Sequence, residues 1–222
     1  LGKGGGGTSY DVDQAVRYAA GLANDSGTVP ERPAQVINLS LGGAPFSQST
    51  QALFDEVRAA GVLVVAAAGN QASAAPVYPA SYNGVISVSA VDAQRRLASY
   101  SSTGPNIDVA APGGNNSVDQ NGDGYPDGVL STGGTVGNNG INFAYTFANG
   151  TSMAAPHVAG VLALMKSVNG QLTPADIDAM LAAGELSDDL GAPGRDDQFG
   201  HGIVNAQRAV LAALQAGGTT PG

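Results

Sequence analysis

Hydrophobic positions in the first half of the chain follow helical spacing in some segments and strand spacing in others. Apolar residues from Val12 to Ala20 recur every three or four positions, the period of an amphipathic helix. Thr8 precedes this stretch and Asp11 follows it by three residues, an arrangement that can form a capping box. The run Val62–Ala67 is apolar on both faces, as in a central strand of a parallel sheet. The elements predicted in this half are helices between 8 and 21 and at about 49–60, and strands at 36–41 and 62–67.

The second half adds strands and helices on either side of a long polar segment. Pro112 to Asn149 is rich in Gly and Asn and is too long to be a plain connector. Thr173 followed by Pro174 and Asp176 predicts a capped helix start. Strand, helix and strand in succession form a right-handed crossover unit, so the fold class is α/β with a mostly parallel sheet. The elements predicted here are strands at about 85–91 and 107–110 and helices at about 151–167, 173–184 and 205–214.

Composition narrows the classes of protein to which this chain can belong. Its 222 residues, 43% of them hydrophobic, suit one domain, for which we expect residues 1–216 with a flexible tail at 217–222. Eighteen acidic against nine basic residues give a formal charge of −9, which argues against nucleic acid as a partner. The absence of cysteine excludes disulfides and thiol chemistry. No apolar run reaches the ~18–20 residues of a membrane span, so no membrane partner is expected.

A serine stands where the segment Asn149–Gly160 passes from a polar turn into an apolar helix. Ser152 would have its hydroxyl beside the unpaired N–H groups at the positive end of the helix dipole. A nucleophilic serine that forms a tetrahedral oxyanion needs that environment. The alternative for a bare Gly-Thr-Ser is a Thr/Ser N-cap that only starts a buried helix.

Two further segments directly follow predicted strands, where open α/β sheets gather their sites. Asn70 ends the sequence Ala66–Asn70 and can direct an amide donor into the same cavity as Ser152, although Gly69-Asn70 is also a common turn. Ser40-Leu41-Gly42-Gly43 exposes backbone groups to which an extended peptide can add as a strand. The alternative there is an ordinary turn at the end of a strand.

These segments together resemble the subtilisin-like serine proteases, or subtilases. The serine and Ala-Gly-Asn blocks are highly specific in this order, and the glycine-rich start at Leu1–Gly7 is similar to that of secreted Gram-negative bacterial members. The resemblance implies a three-layer α/β fold and a secreted bacterial serine endopeptidase. The matching segments are 36–43, 62–70, 78–92, 107–113, 149–160 and 199–206.

The resemblance also assigns roles to individual residues. It makes Ser152 the nucleophile and Asn70 the side-chain donor to the oxyanion, both catalytic. It places Val77 at the base of the pocket that binds the substrate residue before the cut. We therefore expect that substrate residue to have an apolar or medium-sized side chain. The walls of that pocket would be formed by Ser40, Leu41, Gly42, Ala67, Ala68 and Gly69.

The chain departs from the family pattern because the segments that carry the triad Asp and His are absent. His157 lies five residues past Ser152 on the same predicted helix, so the two side chains point about 140° apart. His201 lies in a glycine-rich stretch where the family has a structural turn. We therefore expect a C-terminal portion of a catalytic domain, incomplete at its N-terminal side and inactive alone. The Asp and His would come from an N-terminal segment associated as a second chain.

Residues 119–127 match the opening of an EF-hand-type loop and predict a Ca²⁺ site. Oxygen ligands fall at the first, third, fifth and ninth positions, and Gly124 supplies the sharp turn at the sixth. Leu130 occupies the twelfth position, so the bidentate Glu is missing and water or other residues would complete the shell. The alternative is a solvated acidic turn. The expected ligands are Asp119, Asn121, Asp123, the carbonyl of Tyr125 and Asp127.

Two other functions compete with that of a serine endopeptidase. A non-catalytic or truncated subtilase part could act as a binding or structural module. A serine esterase could use the same nucleophile, but the turn before Ser152 lacks the Gly-x-Ser-x-Gly elbow of such folds.

Overall fold

The computed structural model of the chain describes residues 6–137 and 140–218. The expectations for Leu1–Lys3 and for most of the tail, 219–222, lie outside the described residues. Among the described helices, none combines the length and hydrophobicity needed to cross a bilayer. The elements in chain order are α1 Ser9–Ala19, β1 Val36–Leu39, α2 Gln48–Ala59, β2 Leu63–Ala67, β3 Val85–Val91, β4 Val109–Pro112, β5 Val129–Gly137, β6 Gly140–Ala148, α3 Thr151–Val168, α4 Pro174–Ala182, β7 Ser187–Asp188, β8 Ile203–Val204 and α5 Ala206–Ala216.

The main sheet has the strand order β1-β2-β3-β4-β8-β7. Its neighbours pair in parallel except β7 and β8, which are antiparallel. The register matches Leu39 with Ala66, Ala67 with Val88 and Val91 with Pro112. The carboxyl ends of β1 to β4 therefore meet at one edge of the sheet, as the crossover pattern predicts.

Helices cover both faces of this sheet, which confirms the three-layer α/β fold. Alternate residues of β2 point to opposite faces because successive strand side chains alternate. Leu63 and Val65 pack with buried residues of α3, α4 and α5, including Leu162 and Ile177. Val64 packs on the other side with residues of α1 and α2.

The helix starts behave as their sequences predict. The side chain of Thr8 accepts a hydrogen bond from the Asp11 N–H at 3.2 Å, while Asp11 accepts one from the Thr8 N–H at 3.1 Å. Thr173 and Asp176 form the same reciprocal box at α4, and Pro174 occupies its first turn. These caps satisfy backbone donors that a helix cannot pair internally.

The structure differs from the sequence-based expectation in three places. The strand expected at 107–110 lies at Val109–Pro112, because Ile107 closes a turn by donating its N–H to the Gly104 carbonyl. The two-residue strands β7 and β8 were not predicted, since tertiary pairing rather than periodicity defines them. The polar segment 112–149 contains the antiparallel hairpin β5–β6, whose glycines obscured its alternation.

We predict that Gly202→Ala destabilises the fold far more than Gly184→Ala. Both glycines have positive φ, +103° and +69°. A Cβ at Gly202 would overlap the Asp188 carbonyl where β7 meets β8, whereas nothing lies within 4 Å of a Cβ at Gly184. We expect losses in the free energy of unfolding of about 4 kcal/mol or more and about 1 kcal/mol respectively. Urea unfolding midpoints check this, and equal losses for the two variants would contradict it.

Candidate active site

The candidate site lies at the carboxyl edge of the sheet, where three connections come together. Ser40 directly follows β1, and Ala68–Asn70 directly follow β2. Gly113 directly follows β4, and its carbonyl accepts a hydrogen bond from the Gly150 N–H at 3.0 Å. Gly150 immediately precedes α3, so the parallel register delivers the start of the serine helix to the ends of β1, β2 and β4.

The hydroxyl of Thr151 joins the end of β2 to the start of α3. It donates to Oδ1 of Asn70 at 2.9 Å and accepts from the Gly69 N–H at 3.1 Å. The backbone N–H of Thr151 donates to the same Oδ1 at 2.9 Å. Because the amide oxygen is held twice, the Nδ2 donor of Asn70 is turned away from these bonds. Thr151 is fully buried, which protects the link from water.

The start of α3 is shaped by Gly150 rather than by a capping side chain. Gly150 is the N-cap with φ 147°, and the helix has no side-chain cap hydrogen bond. A Cβ at Gly150 would lie 3.3 Å from Nδ2 of Asn70, so glycine keeps the space beside that donor open. The interpretation of Thr151 or Ser152 as a simple N-cap is therefore wrong.

Ser152 lies in the first turn of α3 and is half-buried. Its hydroxyl donates to the Ser40 carbonyl across a long 3.4 Å, while the Ser40 hydroxyl donates to the Ser152 carbonyl at 2.7 Å. The side-chain amide of Asn38 donates to the Ser40 hydroxyl at 3.0 Å. The N–H of Ser152 belongs to the first helical turn, whose donors lack intrahelical acceptors. The serine is thus held firmly through its backbone and only weakly through its hydroxyl.

The residues expected to form the pocket lie close to one another. A Cβ added at Gly42 would lie 2.9 Å from Cγ1 of Val77, and one at Gly69 would lie 3.0 Å from Cγ2 of Val77. Val77 therefore lies between the loop after β1 and the loop after β2. Ala67 and Ala68 are buried beneath them. The structure brings together the two predicted walls and the predicted base.

Leu41 and Gly42 also border a groove of about 350 Å³ whose lining does not include Ser152. Its sides come from α1, α2 and the segment Tyr78–Tyr82. The aromatic rings of Tyr78 and Tyr82 lie 4.6 Å apart and line it. An extended chain lying across Gly42 would thus meet an apolar surface further along.

Among the residues that the structure describes, no titratable group near Ser152 is placed to take its proton. His157 is exposed on the next turn of α3, and its Nδ1–H donates to the Met153 carbonyl at 2.8 Å. Burial raises the pKa of Tyr100 to about 12, and its hydroxyl donates to the Gly114 carbonyl at 2.8 Å, so this phenol stays neutral.

His201 is excluded by its position in the sheet. Its N–H donates to the Asp108 carbonyl at 2.8 Å, immediately before β4, whereas α3 begins beyond the other end of that strand. Burial lowers the pKa of His201. It therefore stands at the amino-terminal edge of the sheet, opposite Ser152.

The candidate calcium loop winds around the carboxylate of Asp119. Asp119 accepts hydrogen bonds from the N–H groups of Gly122, Asp123 and Gly124 at 2.7, 3.2 and 2.9 Å. The side-chain amide of Asn121 donates to Asp123 at 3.0 Å, and Asp127 accepts from the Gln120 N–H at 2.7 Å. The turns and the hard oxygen donors suit Ca²⁺.

The loop does not form a ready-made metal centre. Among the described residues, no three acidic or histidine side chains are close enough together to hold an ion. In the same described part of the chain, Asp119, Asp123 and Asp127 have no ion pair with a basic side chain. The residues present fit Ca²⁺ in chemistry, and the carboxylates would have to draw together around it.

Thr151 and Asn38 are site residues that the sequence-based analysis did not single out. The signal for Thr151 is its residue type. A threonine directly before the serine predicts a helix cap, whereas its hydroxyl forms hydrogen bonds across the fold. Asn38 stands in an apolar strand two residues before Ser40, and alternation in the strand puts both on one face. A polar residue at a strand position that shares a face with Ser40 indicates that its side chain can belong to the same site.

This arrangement can stabilise a negative oxygen that forms beside Ser152. The Nδ2 of Asn70 and the N–H of Ser152 are two donors on either side of the open space next to Gly150. Such preorganised donors are usually the largest single contribution to acyl-transfer catalysis. The chemistry still requires a base to accept the serine proton.

The family model, the relatives and the solved structure that match this chain agree with one another. Residues 1–202 match the model of the subtilase family. The extracellular basic protease of Dichelobacter nodosus is 36% identical over 217 residues, which cover 94% of this chain and 33% of that protein. The extracellular protease of Xanthomonas campestris is 38% identical over 218 residues, which cover 96% of this chain and 34% of that protein. The chain spans about a third of the length of these relatives.

A solved protease structure from Pseudoalteromonas arctica has the same fold. It superposes with a TM-score of 0.80 at 39% identity, covering 94% of this chain and 60% of that one. The sheet order and the helix layers described above are thus those of a known protease scaffold.

We predict that Thr151→Val lowers stability more than Thr151→Ser. Valine keeps the shape of threonine but removes the hydroxyl, which leaves the half-buried Gly69 N–H without an acceptor. We expect a loss of about 2 kcal/mol in the free energy of unfolding. Serine keeps the hydroxyl and loses only a methyl group, which costs about 1 kcal/mol. Chemical denaturation compares them, and the reverse ranking would show that the link contributes little.

Proposed function

The chain belongs to the subtilase family, and from that premise we propose that it carries the nucleophile and oxyanion donors of a serine endopeptidase. The observation that carries the proposal is the position of Ser152 in the first turn of α3, beside the free Nδ2 of Asn70. In the proposed reaction the Ser152 Oγ attacks the carbonyl carbon of a peptide bond. The oxyanion so formed accepts hydrogen bonds from Nδ2 of Asn70 and the N–H of Ser152. Departure of the amine leaves an acyl-enzyme that water hydrolyses.

The proposed substrate is a polypeptide bound in extended form. It would pair with the backbone of Ser40–Gly42 on one side and Ala67–Gly69 on the other, as an added strand between two walls. The side chain before the cut would enter the space above Val77. Because that space is bounded by alanine, glycine and valine, an apolar or medium-sized residue suits it.

A base and its orienting acid are proposed to come from a polypeptide segment outside these 222 residues. This proposal is supported by the positions of His157, His201 and Tyr100, none of which is placed to take the proton of Ser152. Strand β1 is the edge of the sheet in the described part of the chain, and an apolar groove of about 630 Å³ runs beside it against α1. On α3, Leu164 and Val168 are 50% and 41% exposed, one and two turns past Gly160. Such faces are suited to further packing.

The proposed location is outside the cell, and the proposed source is bacterial. The Dichelobacter and Xanthomonas relatives are both named as extracellular. The acidic composition and the absence of cysteine neither favour nor oppose this. A non-catalytic binding module remains the second candidate because the described residues contain no base for Ser152.

We propose further that Ca²⁺ binds the loop formed by Asp119, Asn121, Asp123, Tyr125 and Asp127. The ion would supply positive charge that offsets three carboxylates crowded into nine residues. The loop is tied to the rest of the chain by the Asn115 N–H, which donates to the Asp127 carbonyl at 2.8 Å. An ordered loop would hold the base of the β5–β6 hairpin, and that hairpin leads directly to Ser152.

The nucleophile is tested by labelling with a fluorophosphonate. In a preparation that contains the base-bearing segment, we expect rapid labelling that Ser152→Ala abolishes, since the reagent requires an activated serine. The 222-residue chain alone should label slowly because nothing accepts the serine proton. Equal rates with and without that segment would refute the proposed division of the catalytic groups.

The oxyanion donor is tested by Asn70→Asp, which keeps the acceptor for Thr151 and removes the donor. We expect kcat to fall at least 10²-fold, using the magnitude known for loss of such a donor in subtilisin itself. Asn83→Asp makes the same chemical change at an exposed position and should leave kcat unchanged. Steady-state hydrolysis of a short peptide, by preparations that contain the base-bearing segment, measures both, and a small effect at Asn70 would exclude it from the oxyanion site.

Calcium removal is expected to lower thermal stability. With Ca²⁺ at about 100 times its Kd, the ion adds about 2.7 kcal/mol, so EDTA should lower Tm by about 5–10 °C. Asp123→Asn should remove most of this difference, whereas Glu31→Gln, an exposed charge change elsewhere, should preserve it. Differential scanning calorimetry measures the shift. An EDTA-insensitive Tm together with calcium-free purified protein would disprove the site.

A further inference from the structure

The hairpin β5–β6 has one apolar face that is open to solvent. The antiparallel register puts Leu130 opposite Phe147, Thr132 opposite Tyr145, Gly134 opposite Phe143 and Val136 opposite Ile141, all on one side. Phe143 and Val136 are each 83% exposed, and Tyr145 is 76% exposed. The opposite side carries Ser131, Thr135, Asn142 and Thr146. Exposed apolar side chains that lie side by side on one face in this way make the face a candidate for contact with a partner.

The charge distribution limits what can bind to this face. No Asp, Glu, Lys or Arg occurs between Asp127 and Lys166, so the whole hairpin is uncharged. The acidic loop at its base repels anionic partners, which disfavours nucleic acid and acidic lipid surfaces. A partner rich in apolar side chains and poor in charge matches the face.

The size of the face argues against a stable pair of two copies. Nine paired residues at ~3.4 Å each give a length of about 30 Å, and two strands ~4.8 Å apart give a width of about 10 Å. Two such faces would bury roughly 600 Å² in total, well below the ~1,200 Å² of a stable protein interface. The face is large enough for a weak contact that reinforces another.

The hairpin is continuous with the candidate active site. Strand β6 ends at Ala148, and only three residues separate it from Ser152. At the base of the face, Tyr125 stacks on Phe147 with ring centroids 6.0 Å apart. Leu130 and Tyr145 border a groove of about 660 Å³ there. A chain held at Ser152 therefore has apolar surface within reach of its next residues.

We propose that the apolar face of β5–β6 docks unfolded, charge-poor stretches of a protein substrate while another part of the same chain occupies the cleft at Ser152. This proposal rests on the proposed peptidase function. Once one part of the substrate is bound, contact with the hairpin becomes intramolecular, so a weak patch raises the overall affinity. The effect should be confined to long substrates and expressed in KM, because the reacting atoms are not touched.

The test compares Phe143→Ser/Tyr145→Ser with Thr135→Ser/Asn142→Ser on the opposite face, each assayed in a preparation that contains the base-bearing segment. The substrates are a four-residue chromogenic peptide and an unfolded polypeptide of about 100 residues, rich in Val, Phe, Ala and Gly and without charged side chains. We expect the apolar-face variant to lower kcat/KM for the long substrate about tenfold, through KM, with no change for the short one. The control variant should change neither. An equal ratio of long to short substrate in all three proteins would overturn the proposal.

A binding measurement separates this proposal from the peptidase proposal. In a Ser152→Ala background, retention on the immobilised long polypeptide should fall about tenfold with the apolar-face variant and not with the control. If retention falls but no form cleaves either substrate, the docking face is supported and the peptidase function is not. If cleavage occurs with unchanged retention, the face is excluded. If the wild-type protein forms dimers that the apolar-face substitutions dissociate, the face binds a second copy of the chain. If the wild-type protein is retained on phosphatidylcholine vesicles and the substitutions abolish this retention, the face binds lipid. Either result would overturn the proposal.

Discussion

The hydroxyl of Thr151 is the link on which the geometry of the site depends. It connects Gly69 and Asn70, at the end of β2, to the first residue of α3, more than eighty positions later. Without it the Gly69 N–H would lose its acceptor and Oδ1 of Asn70 would keep only the N–H of Thr151, and a donor that loses its partner costs about as much as a hydrogen bond contributes. One buried side chain thereby fixes the orientation of the Asn70 amide and the depth at which Ser152 enters the cleft.

The parallel sheet makes this link possible. Parallel strands in matched register end together, so the loops after β1, β2 and β4 meet without any long excursion of the chain. The second connection, from the Ser40 hydroxyl to the Ser152 carbonyl, ties the loop after β1 to the same helical turn. With both loops attached to α3, the two segments that we propose as walls of the pocket beside Val77 are held at a separation set by the sheet.

The sequence predicted those parts of the structure that depend on local physics. The capping boxes at Thr8 and Thr173, the fully buried β2 and the three-layer class follow from periodicity and cap chemistry. The hairpin β5–β6 escaped prediction because the glycines of β5 interrupt the alternation of apolar and polar residues. The role of Thr151 escaped for a related reason: a hydrogen bond across the fold leaves no periodic trace, and only the residue type hints at it.

Geometry and reactivity are separable in this site. The described contacts that orient Ser152, Asn70 and Gly150 lie within the chain, so the two N–H groups that we propose as oxyanion donors are already held in place. Reactivity is different, because the Ser152 hydroxyl faces the Ser40 carbonyl, and an amide carbonyl is far too weak a base to take its proton. The segment that we propose to supply the base would therefore have to add one proton acceptor beside side chains that are already held in place. On that proposal the binding energy of the segment could go into placing the base.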